Sequence, residues 1–242
     1  MKYENEIREV YDNLSKRYHE ITADHFFNTY LEVPATMSLL KNIKGKKVLD
    51  LGCGTGRHSV VLKKRDAKIW GLDLSPKMIE IAKSKVKNVD FRVGTVYKLP
   101  FKSNFFDIVL AGLCISYFKD LDKAFKEINR VLKKKGIFVF SSTNPLIEVS
   151  KHIKGKSRDY RKFGEYFRET KMYANWPTFK ARIPFYHKTF QTLIRAIIRN
   201  GFIIEDYLDE RPVKKIKKID PERYRIYSMI IPHYYAFKVR KK

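Results

Sequence analysis

Cysteine is nearly missing: Cys53 and Cys114 are the only two in 242 residues. They have neither metal-ligand spacing nor the numbers for a disulfide framework, so each reads as a small buried thiol and no metal site is expected. No apolar run reaches the ~18 residues of a membrane span. The amino terminus, with Glu4, Glu6 and Glu9 close behind Lys2, is not a signal peptide, so a soluble cytoplasmic protein with no membrane partner is expected. Acids are scarce as well, 26 Asp+Glu against 51 Lys+Arg, for a formal charge of +25. Such an excess suits nucleic acid or an acidic acceptor, or else the spread lysines of a lysine-rich, thermophile-like surface. It is uneven: residues 151–242 carry 24 basic and 9 acidic side chains, residues 1–150 carry 27 and 17. No Ser-His-Asp or paired-carboxylate constellation is evident.

Glycine is also sparse, with 11 in the chain, yet Gly52, Gly54 and Gly56 fall at alternate positions of one short stretch. The run Lys47-Val48-Leu49-Asp50-Leu51 reads as a buried strand. After the glycines, Arg57 and then Val60, Val61 and Leu62 have the spacing of a helix. Glycines at such a turn allow positive φ and a ligand pressed against the backbone, and the following helix begins with unpaired N–H groups. The dinucleotide fingerprint needs its third glycine one residue later, where Arg57 stands, and a P-loop needs a Gly-Lys-Ser/Thr that is missing. Downstream, Ala67–Asp73 reads as a second buried strand ending in an acid. Ser75-Pro76 supplies the next helix with its own N-cap, leaving Asp73 available to accept from ribose hydroxyls.

Asp50-Leu51-Gly52-Cys53-Gly54-Thr55-Gly56 resembles motif I of the class I S-adenosylmethionine-dependent methyltransferases. The resemblance implies S-adenosylmethionine as cofactor, S-adenosylhomocysteine as product, and direct in-line transfer of a methyl group to an acceptor. Asp50 would hold the turn or reach the cofactor ammonium through water, or merely tie loop amides. Leu74 and Met78 would lie against adenine or belong to the core. Where the family has Gly-Asp-Ala-x-x-Leu-Pro-Phe, with the acid accepting from the adenine amino group, this chain has Gly94-Thr95-Val96-Tyr97-Lys98-Leu99-Pro100-Phe101. Thr95 Oγ1 or the Val96 N–H would then make the adenine contact. The Tyr11 and Tyr18 pattern matches family members in which such a tyrosine bonds the cofactor carboxylate; the alternative is a ring packed under an amphipathic helix over residues 4–31.

Residues 89–94, 105–111, 137–141, 202–207 and 234–239 complete a β-α-β series. The expected fold is α/β and doubly wound, a Rossmann-like, mostly parallel sheet of seven strands with one antiparallel strand, preceded by an N-terminal helix and interrupted by a lid. A single domain over 1–242 would comprise a helical cover (1–35), a cofactor-binding core (36–142), a lid or substrate insertion (143–186) and a carboxy-terminal helix with strands (187–242). Ala111 and Leu113, past the fourth strand, would wall the methyl group and acceptor, and Tyr117 would touch the acceptor or pack beneath the lid. The triple lysine 133–135 with Gly136 reads as the cationic, glycine-capped end of a helix. Over 40 residues rich in aromatic and basic side chains and without clear periodicity follow, which points to a functional lid. There Tyr166, Trp176 and His187 are the candidates for acceptor contact, His187 either as base or as an organiser of the lid. The aromatic lid and the Tyr186-His187 segment favour a small-molecule acceptor. Charge alone favours RNA, through a patch joining Lys214, Lys215, Lys217 and Lys218 to Lys238, Arg240, Lys241 and Lys242. A protein that binds the cofactor without catalysis is a third reading.

Overall fold

The computed structural model describes residues 2–22, 25–153, 160–176, 179–229 and 232–242. In chain order the elements are α1 (Lys2–Thr22), a π-helical stretch (Phe27–Glu32) running into α2 (Val33–Ser38), β1 (Lys47–Leu51), α3 (Arg57–Lys64), β2 (Lys68–Asp73), α4 (Pro76–Lys85), β3 (Asp90–Val93) and β4 (Phe106–Ala111). A 3-10 turn (Ile115–Tyr117) leads to α5 (Leu121–Val131), β5 (Leu132–Thr143), α6 (Pro145–Glu148), β6 (Ser150–Ile153), β7 (Tyr160–Phe163), β8 (Lys171–Trp176), β9 (Ala181–Tyr186), α7 (Phe190–Arg199), β10 (Phe202–Asp209), α8 (Ile216–Ile219), α9 (Pro221–Met229) and β11 (Tyr234–Lys241).

The main sheet has seven strands in the order β10-β11-β5-β4-β1-β2-β3. Only β11 runs against its neighbours, antiparallel to both β5 and β10, while β5, β4, β1, β2 and β3 are parallel. This is the expected doubly wound architecture. Alternation along β1 explains its two-sided burial: Leu49 and Leu51 join the layer under α5 and α7, and Val48 joins the layer with Met37, Leu40 and Leu62. Phe106, Phe125, Phe138, Phe140 and Phe202 are fully buried in the first layer, each contributing about 1.5–3 kcal/mol of transfer free energy. The helices begin where their caps require. Ser75 Oγ accepts from Met78 N at 3.1 Å, Asp120 Oδ1 from Lys123 N at 2.9 Å, and Thr189 Oγ1 from Thr192 N at 3.2 Å.

Three expectations are corrected. The helix expected over residues 4–31 is α1 followed by the π-helical stretch, which runs into α2 with Pro34 tolerated in its first turn. The triple lysine caps no helix: α5 stops at Val131, Lys133–Lys135 belong to β5, and the left-handed residue is Lys135, at φ 61°, rather than Gly136. Lys133 instead pairs with Asp107 at 2.6 Å. Residues 143–186 are not aperiodic, since they contain α6 and two antiparallel pairs, β6–β7 and β8–β9. Pro221 opens α9.

Candidate functional site

A cavity of about 650 Å³ lies over the carboxyl ends of β1 to β4, where ligands of open α/β sheets bind. Its floor is Gly52, Gly54, Asp73, Gly94 and Leu113. Its roof is α1, which presents Glu4, Ile7, Tyr11 and Tyr18 on one helical face, together with Trp176 and Phe179 from the β8–β9 hairpin. The roof is fastened at several points. Asp12 Oδ1 accepts from Lys77 N at 3.3 Å, Arg57 Nη2 donates to Thr22 O at 3.1 Å, and Glu6 Oε1 accepts from the Tyr173 hydroxyl at 3.0 Å.

The glycine turn divides its labour. Gly52 has φ 68°, and a Cβ there would stand 2.8 Å from Cys114 Cβ, so glycine is needed for the fold itself. Gly54 has φ 51° and no atom within 4 Å of the place a Cβ would take, so its side faces open cavity. Gly54 N donates to Asp73 Oδ2 at 2.8 Å, and Ser75 N donates to Asp73 Oδ1 at 2.9 Å. Burial pushes the Asp73 carboxyl up to about 6, against the opposing pull of the Ser75 and Gly54 N–H groups.

Other expected residues fall elsewhere. Asp50 does not line the cavity: its Oδ2 accepts from Ser59 Oγ at 2.6 Å, tying β1 to α3, and burial raises its carboxyl. Gly56 is the N-cap of α3 and faces Ala82 and Val86, and Arg57 is spent on the end of α1, so neither reaches the cavity. Ala111 is fully buried in the core. Tyr11, Tyr18, Leu74, Met78, Thr95, Val96, Leu113, Tyr117 and Trp176 do line it. The Tyr11 and Tyr117 hydroxyls meet at 2.7 Å, and burial keeps both protonated by raising them far above the ordinary phenol range. Tyr18 stacks on Phe179 at 5.5 Å and on Trp176 at 6.4 Å between centroids.

His187 is not positioned as an acceptor-facing base, because both ring nitrogens are engaged. Nδ1 lies 2.8 Å from Glu148 Oε2 and Nε2 lies 2.8 Å from the Tyr166 carbonyl oxygen, which can only accept, so Nε2 carries a proton. Tyr166 lies off the cavity, its hydroxyl accepting from Phe190 N at 3.0 Å. Both residues organise the approach to α7. Glu148, absent from the sequence expectations, is the member of this group that reaches the cavity wall.

Sequence reasoning also passed over the support beneath Leu113. Leu113 N donates to Ser141 Oγ at 2.9 Å, Ser141 Oγ donates to Glu32 Oε1 at 2.8 Å, and His58 Nε2 pairs with Glu32 Oε2 at 3.2 Å. Burial alone would raise the Glu32 carboxyl, but His58 outweighs it and holds it low. Glu4 was legible in principle, since it falls three residues before Ile7 and seven before Tyr11 on the cavity face of α1.

Among the described residues no lysine or arginine lines the cavity, whereas Glu4, Asp73 and Glu148 do. Among the described residues the site therefore offers no lysine or arginine to meet a pyrophosphate, and Gly54 N is already given to Asp73. A nucleoside cofactor without phosphate fits: Asp73 offers carboxylate oxygens to hydroxyl donors, and the open side of Gly54 accepts close backbone approach. Three of the cations expected in a basic patch have near partners. Lys238 and Arg240 pair with Glu205 at 3.3 and 2.6 Å, and Lys241 Nζ donates to the Asn129 and Leu132 carbonyls at 2.7 and 2.8 Å.

Residues 49–140 match the family model described as a methyltransferase domain. The chain is 31% identical to an uncharacterized protein of Haemophilus influenzae over 210 residues, 80% of this chain and 82% of that one. It is 34% identical to a demethylmenaquinone methyltransferase of Chlorobaculum parvum over 143 residues, 56% of this chain and 58% of the relative, so that match spans less than two thirds of the relative's length. Among solved structures, an S-adenosylmethionine-dependent methyltransferase of Mesorhizobium loti superposes with a TM-score of 0.76 at 25% identity, covering 86% of this chain and 96% of that one.

Proposed function

Because this chain belongs to the class I S-adenosylmethionine-dependent methyltransferases, we propose that its acceptor is an uncharged small molecule with an aromatic or apolar body. The observation that carries this reading is the cavity lining: rings from Tyr11, Tyr18, Tyr117, Trp176 and Phe179, and no lysine or arginine among the described residues. In a chain of formal charge +25, an anionic acceptor or an RNA backbone would be expected to find a cation at the site of reaction. The volume also falls within the ~300–1,000 Å³ of small-molecule sites. Similarity to a demethylmenaquinone methyltransferase supports an aromatic acceptor.

In this reading Asp73 accepts from the ribose hydroxyls, Leu74 and Met78 pack on the adenine, and the Gly52–Gly54 backbone receives the amino-acid part of the cofactor. Thr95 and Val96 close the adenine end. Tyr11 and Tyr18 cover the methyl-bearing region, with Leu113, Tyr117 and Trp176 around the acceptor. Residues 1–35 and 143–186 then act as two covers over the core at 36–142, with 187–242 completing the sheet. S-adenosylmethionine supplies a methyl group on a sulfur that is already positively charged, so the protein's work is alignment and exclusion of water. Alignment of this kind is worth up to about 7–11 kcal/mol. The aromatic roof excludes water, and the Tyr11–Tyr117 hydroxyl pair fixes α1 over the turn after β4.

The test is methyl transfer from labelled S-adenosylmethionine to naphthohydroquinones and simple phenols, with defined tRNA offered in parallel. Label is expected in the small-molecule fraction, and Trp176→Ala should reduce it at least tenfold while leaving cofactor affinity within about threefold. Label entering RNA instead would overturn the proposal.

A further inference from the structure

The cavity contains a carboxylate that the cofactor reading leaves without a role. Glu4, in the first turn of α1, lines the cavity, and its Oε1 is hydrogen-bonded to Thr95 Oγ1. That contact fixes where the carboxylate sits: beside Gly94, Thr95 and Val96, past the end of β3. The direction of the bond is set by chemistry. A carboxylate in ionised form only accepts, so Thr95 gives its single hydroxyl proton to Glu4, and Thr95 Oγ1 accepts in turn from Tyr97 N at 3.3 Å. Thr95 thus contributes the anchor, and the charged accepting group at this end belongs to Glu4.

Asp73 lies at the end of β2 and the Gly94–Val96 segment follows β3, the next strand outward. With the ribose on Asp73, the base of the cofactor would be held by Leu74, Met78 and this segment, all of which line the cavity. We propose that Glu4 reads the 6-amino group of adenine, accepting an N–H from it, so that the base-specificity residue for the cofactor is delivered by the roof helix α1 rather than by the sheet. The inference rests on the assignment of Asp73 to the ribose. A hydrogen bond from a neutral donor to a carboxylate is among the stronger ones. Glu4 is only partly buried, so its removal leaves the core untouched.

The experiment compares S-adenosylhomocysteine with its analogue bearing hydrogen in place of the 6-amino group, by calorimetry, on the full chain and on Glu4→Ala and Thr95→Val. The native chain is expected to prefer the amino compound by about tenfold or more, the range for a hydrogen bond to a charged group. Glu4→Ala should bring the two ligands within about threefold, while Thr95→Val, which removes the anchor but leaves the carboxylate, keeps part of the preference; the ligand and residue changes together form a double-mutant cycle. Equal binding of both ligands by the native chain would overturn the proposal. So would a preference that survives Glu4→Ala, or one that vanishes only in Thr95→Val. If neither ligand binds the native chain, the placement of the cofactor falls first and the role of Glu4 with it. A preference retained in Glu4→Ala alongside loss of all binding in Asp73→Ala would sink the Glu4 role alone.

Discussion

Asp73 and Gly54 are joined across the cofactor end of the cavity, the Gly54 N–H donating to Asp73 Oδ2 at 2.8 Å. One carboxylate therefore holds the glycine turn in shape, and in the proposed mode its remaining lone pairs take the ribose hydroxyls. Asp73→Ala should weaken S-adenosylhomocysteine binding by about 1.5–3 kcal/mol, measured by calorimetry.

The same group should give cofactor affinity a pH dependence. In the proposed mode ribose hydroxyls donate to the ionised carboxylate, and burial has pushed Asp73 up to about 6 from an ordinary 3.8. Affinity should be full above about 6 and fall as pH drops through that value. The contribution to stability runs the other way. The folded chain holds this proton more tightly than the unfolded one, so folding is favoured at low pH and the contribution is lost as pH rises through about 6. Titrations of S-adenosylhomocysteine on either side of that value check the first sign, and thermal melts without ligand check the second. In Asp73→Ala both dependences should flatten.

Two glycines of one turn should respond differently to the same substitution. Gly54→Ala places its methyl group in open cavity, at a positive-φ cost of about 1–2 kcal/mol, and should fold yet bind cofactor poorly. Gly52→Ala drives a methyl group to 2.8 Å from Cys114 Cβ, and should lose stability before binding can be asked about. Denaturant midpoints beside cofactor titrations separate the two outcomes.

The parts of this molecule legible in its sequence are those governed by local rules. Periodicity located β1, β2 and β4, the Ser75-Pro76 cap placed α4, and the spacing from Gly52 to Asp73 put turn and acid at one end of the sheet. What escaped depends on contacts between distant segments. Nothing near His187 says that Glu148 and the Tyr166 carbonyl will take both its nitrogens. Lys238 and Arg240 read as surface charge until β10 brings Glu205 beside them. The β8–β9 hairpin was legible yet missed: apolar Met172, Ala174 and Trp176 alternate with Lys171, Tyr173 and Asn175, but this period-two signal is only six residues long and is diluted in a longer basic and aromatic stretch.

The His187–Glu148 pair is structural in its geometry, with side chains 0% and 6% exposed. Burial would lower the His187 ring, but the Glu148 and Tyr166 hydrogen bonds outweigh it and leave it raised above 6.5. Its contribution to stability is therefore fully present below 6.5 and is lost as pH rises through the folded value. His187→Ala, which leaves Glu148 buried without its partner, should cost about 3–5 kcal/mol in denaturant unfolding. Cofactor affinity in that variant should stay within about twofold, since the ring does not line the cavity. A large loss of affinity without a loss of stability would return His187 to the site.

The last prediction concerns Lys214, Lys215, Lys217 and Lys218, which are exposed around α8. Free cations on a surface attract any polyanion by releasing its counterions, whether or not that polyanion is a substrate. The chain should therefore bind single-stranded RNA weakly, with an affinity that falls steeply with salt. Replacing the four lysines by glutamine removes up to four phosphate contacts, and should flatten the slope of log affinity against log salt by roughly 3. If those contacts are incidental to the reaction, the variant should keep its cofactor affinity and its turnover of a small aromatic acceptor within about twofold, because none of the four lines the cavity. Filter binding over a salt series and a labelled-methyl assay on one preparation measure both quantities. Turnover lost together with RNA binding would mean that the exposed cations, and not the aromatic cavity, select the substrate.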